Sequence, residues 1–165
     1  MFAVGQFVIY GHEGVCRVDG IGAVASAAGK LYYRLTPRYH DGTVFVPVDG
    51  TRIVMRELVS PEELEDLLDE LPTLPLLTDI PPEGRQAGEY YRLLLARHSC
   101  RELLQLCKTL DNKQKHLPAR RVSTTDLRGR KSAAEMLSEE FAFIWDVSLS
   151  EAESRLNACL AKAVL

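Results

Sequence analysis

The stretch from Val4 to Val18 constrains the fold more than any other. Apolar residues alternate through Phe7 and Ile9 to Tyr10, a Gly-His-Glu-Gly turn follows at Gly11–Gly14, and Val15, Cys16 and Val18 resume the pattern. A period of two on both sides of a glycine-containing turn predicts a β-hairpin, because successive side chains of a strand point to opposite faces. The same period returns in Leu31–Leu35, Thr43–Val48 and Ile53–Glu57, with Gly20, Gly22, Gly29, Gly42 and Gly50 as punctuation. The predicted strands are Gln6–Tyr10, Val15–Ile21, Lys30–Thr36, Thr43–Val48 and Ile53–Glu57. Five short strands in fewer than sixty residues imply a small twisted barrel, since a flat open sheet of that size exposes its edges.

The period changes at Ser60-Pro-Glu-Glu63. Ser at the N-cap, Pro at the first helical position and Glu three residues on form a capping box. Leu64, Leu67, Leu68 and Leu71 then recur at helical spacing. Pro72, Pro75, Pro81 and Pro82 stop the helix, so residues 59–84 read as an acidic helix and a Pro-rich linker between domains 1–58 and 85–165. The remainder is helical in pattern. Tyr90, Tyr91, Leu94 and Leu95 mark one helix. Ser99-Cys-Arg-Glu102 caps a second, carrying Leu103, Leu106, Cys107 and Leu110. Asp126 is the predicted cap of a long helix ending at Trp145, with Ala134, Leu137, Phe141 and Ile144 inward. Ser148-Leu-Ser-Glu151 caps a last helix, with Leu149, Ala152, Leu156, Leu160 and Ala163 inward. Four amphipathic helices can bury one shared core. The fold class is therefore α+β, a small β-barrel followed by an all-α bundle.

Chemistry is sparse. His12-Glu13 reads as turn residues rather than an acid–base pair. His98, Cys100, Cys107 and His116 match no zinc-ligand spacing. Gly129-Arg-Lys-Ser132 lacks the first glycine of a phosphate-binding loop. No nucleophile–base arrangement is suggested, so no enzyme activity, metal, cofactor or small-molecule substrate is expected. The four cysteines form no framework, no apolar run reaches membrane length, and no signal peptide is visible. A cytoplasmic location follows as the expectation, with reduced cysteines.

Charge is segregated beneath a net −3. Residues 1–58 carry +1, residues 59–83 carry −8, residues 84–131 carry +8 and residues 132–165 carry −4. The twelve cations of the basic block are Arg85, Arg92, Arg97, Arg101, Lys108, Lys113, Lys115, Arg120, Arg121, Arg128, Arg130 and Lys131. Such a block suits an anionic partner, and phosphate contact without base readout is what its composition supports. Arg128, Arg130 and Lys131 fall in the first turns of the predicted long helix, where cations oppose the macrodipole. That placement points to a phosphate-facing surface.

Gly5, Val8, Tyr10, His12, Gly14 and Val15, then Tyr32, Tyr33 and Leu35, then Val44, Val46, Pro47 and Val48, then Arg56, Leu58 and Ser60 occur in an order that resembles the CarD/CdnL family of bacterial RNA polymerase-binding regulators. The polymerase-interacting domain of transcription-repair coupling factors is similar. The helical half resembles the family's second domain more loosely, in helix number and in Glu139-Glu-Phe141. The resemblance implies a Tudor- or SH3-like barrel that adds a strand to the polymerase β subunit. Here that edge would comprise Thr43, Val44, Phe45 and Val46, with Arg34 and Arg52 nearby. It also implies a helical domain on promoter DNA, so that the protein modulates initiation. The family's wedge tryptophan has no counterpart around Glu83–Arg85; the one tryptophan, Trp145, falls among core-type positions. A polymerase-binding adaptor without DNA contact is the alternative.

Overall fold

The computed structural model describes residues 1–25, 29–118 and 121–164. The chain divides into two compact units, Met1–Leu58 and Val59–Leu165.

The first unit is one antiparallel sheet of β1 (Phe7–Tyr10), β2 (Gly14–Ala23), β3 (Leu31–Pro37), β4 (Val44–Pro47) and β5 (Met55–Glu57). Their order across the sheet is β4-β3-β2-β1-β5. Val8, Cys16, Val18, Tyr33, Leu35 and Val46 are buried together, and Met55 packs on the same cluster. Side chains from both edge strands thus share one core with no helical layer in the unit, so the sheet curls on itself as the sequence pattern requires. A register shift between Val18 and Gly20 bends β2 where it passes from β1 to β3. The hairpin turn is a single 3-10 turn, Gly11–Glu13. Gly11 has φ 44°, and a Cβ there would collide with the Ile53 side chain, so this position admits glycine alone.

The second unit holds α1 (Pro61–Glu70), α2 (Gly84–Ala96), α3 (Cys100–Lys115), α4 (Thr124–Trp145) and α5 (Leu149–Ala163). The capping box at Ser60 and Glu63 forms in full. Ser99 and Ser148 cap α3 and α5 through their side-chain oxygens. Trp145 is partly buried, tilted against Phe141 and under the Arg155 guanidinium.

The structure corrects three expectations here. Residues 59–84 are no linker. Leu64, Leu71 and Leu74 belong to the helical core, and the proline-rich stretch is strapped to α3. Leu77 N–H donates to Thr109 Oγ1 at 2.9 Å, and Gln105 Nε2 donates to the Pro75 carbonyl at 2.8 Å. Prolines do end the helix, but they leave carbonyls without intrahelical partners, and α3 supplies the donors.

The second correction concerns α4. Ser123, not Asp126, is its N-cap, and Ser123 Oγ accepts from Asp126 N–H. The helix therefore starts earlier than predicted, and Arg128, Arg130 and Lys131 lie beyond its first turn, where the macrodipole has faded. Third, Leu149 faces outward, at 40% exposure, since the capping turn of α5 holds it off the core.

Candidate functional site

Two surfaces carry the chemistry anticipated from the sequence, one in each unit. On the sheet, β4 pairs with β3 on one side only, in the register Tyr32↔Pro47, Tyr33↔Val46, Arg34↔Phe45 and Leu35↔Val44. Val48 N–H donates to the Leu31 carbonyl at 3.0 Å. In an antiparallel ladder, inward and outward backbone groups alternate. The amides of Val46 and Val44 therefore turn toward β3, and the backbone of Phe45 turns to the open edge. Pro47, also edge-facing, has no amide to offer. Phe45 is thus the single amide donor that β4 presents to an incoming strand.

The side chains divide in the same way. Val46 is fully buried and Val44 packs on the core, so neither side chain is a contact point. Phe45 is 52% exposed on the outer face. Its cross-strand neighbour is Arg34, whose own neighbour on β2 is Gly20. A Cβ at Gly20 would come within 3.7 Å of Arg34 Nη2, so the guanidinium lies over the glycine. Gly20, Gly22, Tyr32, Arg34 and Phe45 line a shallow groove of about 300 Å³ beside the edge. Thr43 and Arg52 are exposed but do not line it. The sequence reading missed Gly20, Gly22 and Tyr32. Their signal was available as small residues on β2 opposite aromatic and cationic ones on β3.

In the helical unit the twelve cations do not form one surface. Lys108 is 2% exposed and its ammonium donates to the carbonyls of Leu71 (3.0 Å), Pro72 (2.9 Å) and Leu74 (2.7 Å). Burial pulls its pKa down, while the three carbonyls solvate the charge. It closes the end of α1 and touches no outside partner. Leu104, one turn earlier and fully buried, is the sequence signal that this face of α3 is not polar.

Arg130 is also structural. Its Nε and Nη2 donate to the two Asp111 oxygens at 2.9 and 3.0 Å, and Nη2 donates to Asn157 Oδ1 at 2.9 Å. Lys113 Nζ donates to Asp126 Oδ2 at 2.7 Å, and Tyr91 O–H donates to Asp126 Oδ1 at 2.5 Å. Burial and then that hydrogen bond push the Tyr91 phenol well above its ordinary pKa. Asp126 is therefore the hub of an α2–α3–α4 contact. Gly129 makes it possible, because a Cβ there would come within 2.8 Å of the Tyr91 ring.

Three further cations form exposed ion pairs: Arg92 with Glu89, Arg97 with Glu102 and Arg101 with Glu70. Such pairs are worth roughly 0–1 kcal/mol and open readily to another anion. Lys131 stands 3.9 Å from Glu135. Arg85, Lys115, Arg121 and Arg128 are exposed. Arg120 lies outside the described residues. Gly84 and Gly88 of α2 approach Thr125 of α4, so Arg85 and Arg128 are carried on the starts of two adjacent helices.

Among the described residues no three His, Cys, Asp or Glu side chains are grouped as metal ligands, and no helix is long and apolar enough to cross a membrane. The family model of the CarD-like/TRCF RID domain matches residues 2–59. The first unit is thus an RNA polymerase-interacting domain of that kind, and the match ends at the boundary between the units. No curated protein matches the chain.

Proposed function

We propose that this chain regulates transcription by binding the RNA polymerase β subunit through the β4 edge and touching promoter DNA with its helical unit. The observation that carries the reading is the coincidence of three things in residues 2–59: the family match, the compact first unit, and a short edge strand with one side unpaired. An added strand gains backbone hydrogen bonds with modest demands on side chains. The Phe45 backbone supplies those bonds, and Phe45 and Arg34 supply the side-chain contacts. Arg52 remains a flanking candidate.

DNA contact rests on a smaller set than the sequence suggested. Arg85, Arg121, Arg128, Lys115 and Lys131 reach solvent, and Arg92, Arg97, Arg101 and Lys113 can exchange a carboxylate for a phosphate. Lys108 and Arg130 are withdrawn from the set. With no tryptophan at the start of α2, phosphate contact is expected rather than apolar wedging into the bubble. The adaptor reading gains from the same facts, since at least seven of the twelve cations already have protein partners among the described residues.

The test is binding of the full chain to purified polymerase β subunit, then to polymerase on a forked promoter across a salt series. Loss of β-subunit binding in an edge variant that stays folded supports the first half. A steep dependence of log affinity on log salt supports the second.

A further inference from the structure

Helix α4 is the centre of the second unit and touches α1, α2, α3 and α5. One stripe of it forms the floor of a groove, exposed at Leu127 and Lys131. Leu127, Lys131, Ala134 and Ser138 recur along that stripe, and Leu149 and Glu153 at the start of α5 form the facing wall. The groove between them measures about 310 Å³. Leu127 is 45% exposed and Leu149 is 40% exposed, so apolar surface is available on each wall. Ser138 is 6% exposed, and its small side chain lies in the floor of the groove.

The charge of the groove differs from that of the basic block around it. Glu135, Glu139 and Glu153 line it. Of its two cations, Arg130 is committed to Asp111 and Asn157, and Lys131 lies at the margin of an ion pair with Glu135. The three glutamates disfavour a phosphate backbone inside the groove, while Lys131, 76% exposed at its rim, still reaches solvent. From Leu127 to Ser138 the groove floor runs over twelve residues of α4, about 16 Å at 1.5 Å per residue, or three helical turns. We propose that this groove receives an amphipathic helix of a protein partner, carrying apolar anchors on one face and Lys or Arg along its flanks. Helix-in-groove docking uses anchors one and two turns apart, which matches two leucine-bearing walls along three turns. The acidic lining selects the basic flanks.

The test uses the full chain and a fluorescently labelled sixteen-residue helical peptide. One face of the peptide carries leucines spaced three and four apart, and its flanks carry Lys in one version and Glu in the other. The Lys peptide is expected to bind at least tenfold tighter than the Glu peptide. Leu127→Gln with Leu149→Gln, and separately Glu135→Lys with Glu153→Lys, are each expected to weaken it at least tenfold. All four positions are exposed, so thermal midpoints should hold. Glu65→Lys with Asp69→Lys on the acidic outer face of α1 should change nothing. Equal binding of both peptides, unchanged binding in the groove variants, or equal loss in the α1 variant would each overturn the proposal. Self-association of the free chain that the leucine variants abolish would make a second copy the occupant, and would overturn it too.

Discussion

Arg130 and Asp111 meet fork to fork, with Nε 2.9 Å from Oδ1 and Nη2 3.0 Å from Oδ2, and this pair binds α4 to α3. Both side chains are about one-fifth exposed. Two parallel charge-assisted bonds at that depth favour a fixed geometry over a solvated one. Arg130→Gln should therefore destabilise the helical unit by about 1–3 kcal/mol, since it strands a carboxylate. Arg128→Gln, two residues away and exposed, should change stability by less than about 0.5 kcal/mol. Chemical denaturation followed by circular dichroism checks both. Equal effects would mean that the pair is not the structural one.

The Phe45 backbone separates edge pairing from folding. Phe45→Pro removes the outward amide of β4 and keeps the inward ladder, so the sheet should stay folded while β-subunit binding falls at least tenfold. Val44→Pro removes an inward amide and should cost the first unit about 3 kcal/mol or more. Phe45→Ala isolates the side chain. Binding assays paired with thermal melts distinguish the three, and full binding by folded Phe45→Pro would move the contact to another edge.

The Lys108 ammonium donates to three carbonyls at the end of α1, and the Leu71 carbonyl also accepts from Leu74 N–H at 3.3 Å. Lys108→Met keeps the stem and takes the ammonium donor from the Pro72 and Leu74 carbonyls, at about 1–3 kcal/mol for each one that water cannot reach, while Leu71 keeps its bond from Leu74 N–H. The same strap fixes where the chain can be cut. Removal of residues 59–84 should destabilise the helical unit, because Leu64, Leu71 and Leu74 leave its core. A fragment ending at Leu58 should keep β-type circular dichroism. A helical unit as stable without residues 59–84 as with them would restore the linker reading.

Alkaline pH should weaken the helical unit. Burial pushes the Cys107 thiol up to about 12 from 9.0. Burial, and then the hydrogen bond to Asp79, push the Tyr90 phenol up to about 12 from 10.0. Between the unfolded and folded values the native state holds protons that the unfolded state has lost, so stability falls as pH rises from about 9 toward 12. The slope approaches about 1.4 kcal/mol per pH unit for each such proton. Cys107→Ala should remove its share of the slope. In the native protein at pH 8, Cys159 should label before the buried Cys16, Cys100 and Cys107.

Local rules were enough to read the element types, three of the serine caps and most of the core positions. β3 and β4 alternate, and Val18, Leu35 and Val46 fell inward as alternation demands, whereas Val8 with Ile9 and Val15 with Cys16 are buried on both faces of the sheet. What escaped was tertiary. Lys108 counted as one more cation of the basic block because its three acceptors lie more than thirty residues away in sequence. Asp126 looked like a cap because an acid suits either the cap or the first turn, and only its bonds to Tyr91 and Lys113 decide between them. Leu149 follows a capping serine on an apolar stripe, and periodicity alone cannot show that a groove beside α4 leaves it 40% exposed. The β4 amide directions need a register, which one strand's sequence does not contain.

Reassigning the basic residues changes the decisive experiment on DNA. A variant that includes Arg130 confounds charge with folding, and the dipole argument for the start of α4 no longer applies, since the helix begins at Thr124. Arg85, Arg128 and Lys131 are exposed, and among the described residues no partner closer than 3.9 Å neutralises any of them. Arg85→Gln with Arg128→Gln and Lys131→Gln should leave the thermal midpoint within about 2 °C, as surface substitutions do. Binding to the isolated β subunit should be unchanged, because that surface belongs to the first unit. On polymerase bound to a forked promoter, each lost contact should reduce the slope of log affinity against log salt by about 0.9 on duplex or about 0.7 on single strand. Three contacts then give a change of about 2–3 in slope and a loss of affinity that grows as salt falls. Restoring charge with Arg85→Lys, Arg128→Lys and the native Lys131 should restore the slope, since phosphate neutralisation needs charge and not a guanidinium fork. A triple variant with the parent slope would leave the helical unit without duplex contacts at these positions, and the adaptor reading would take precedence.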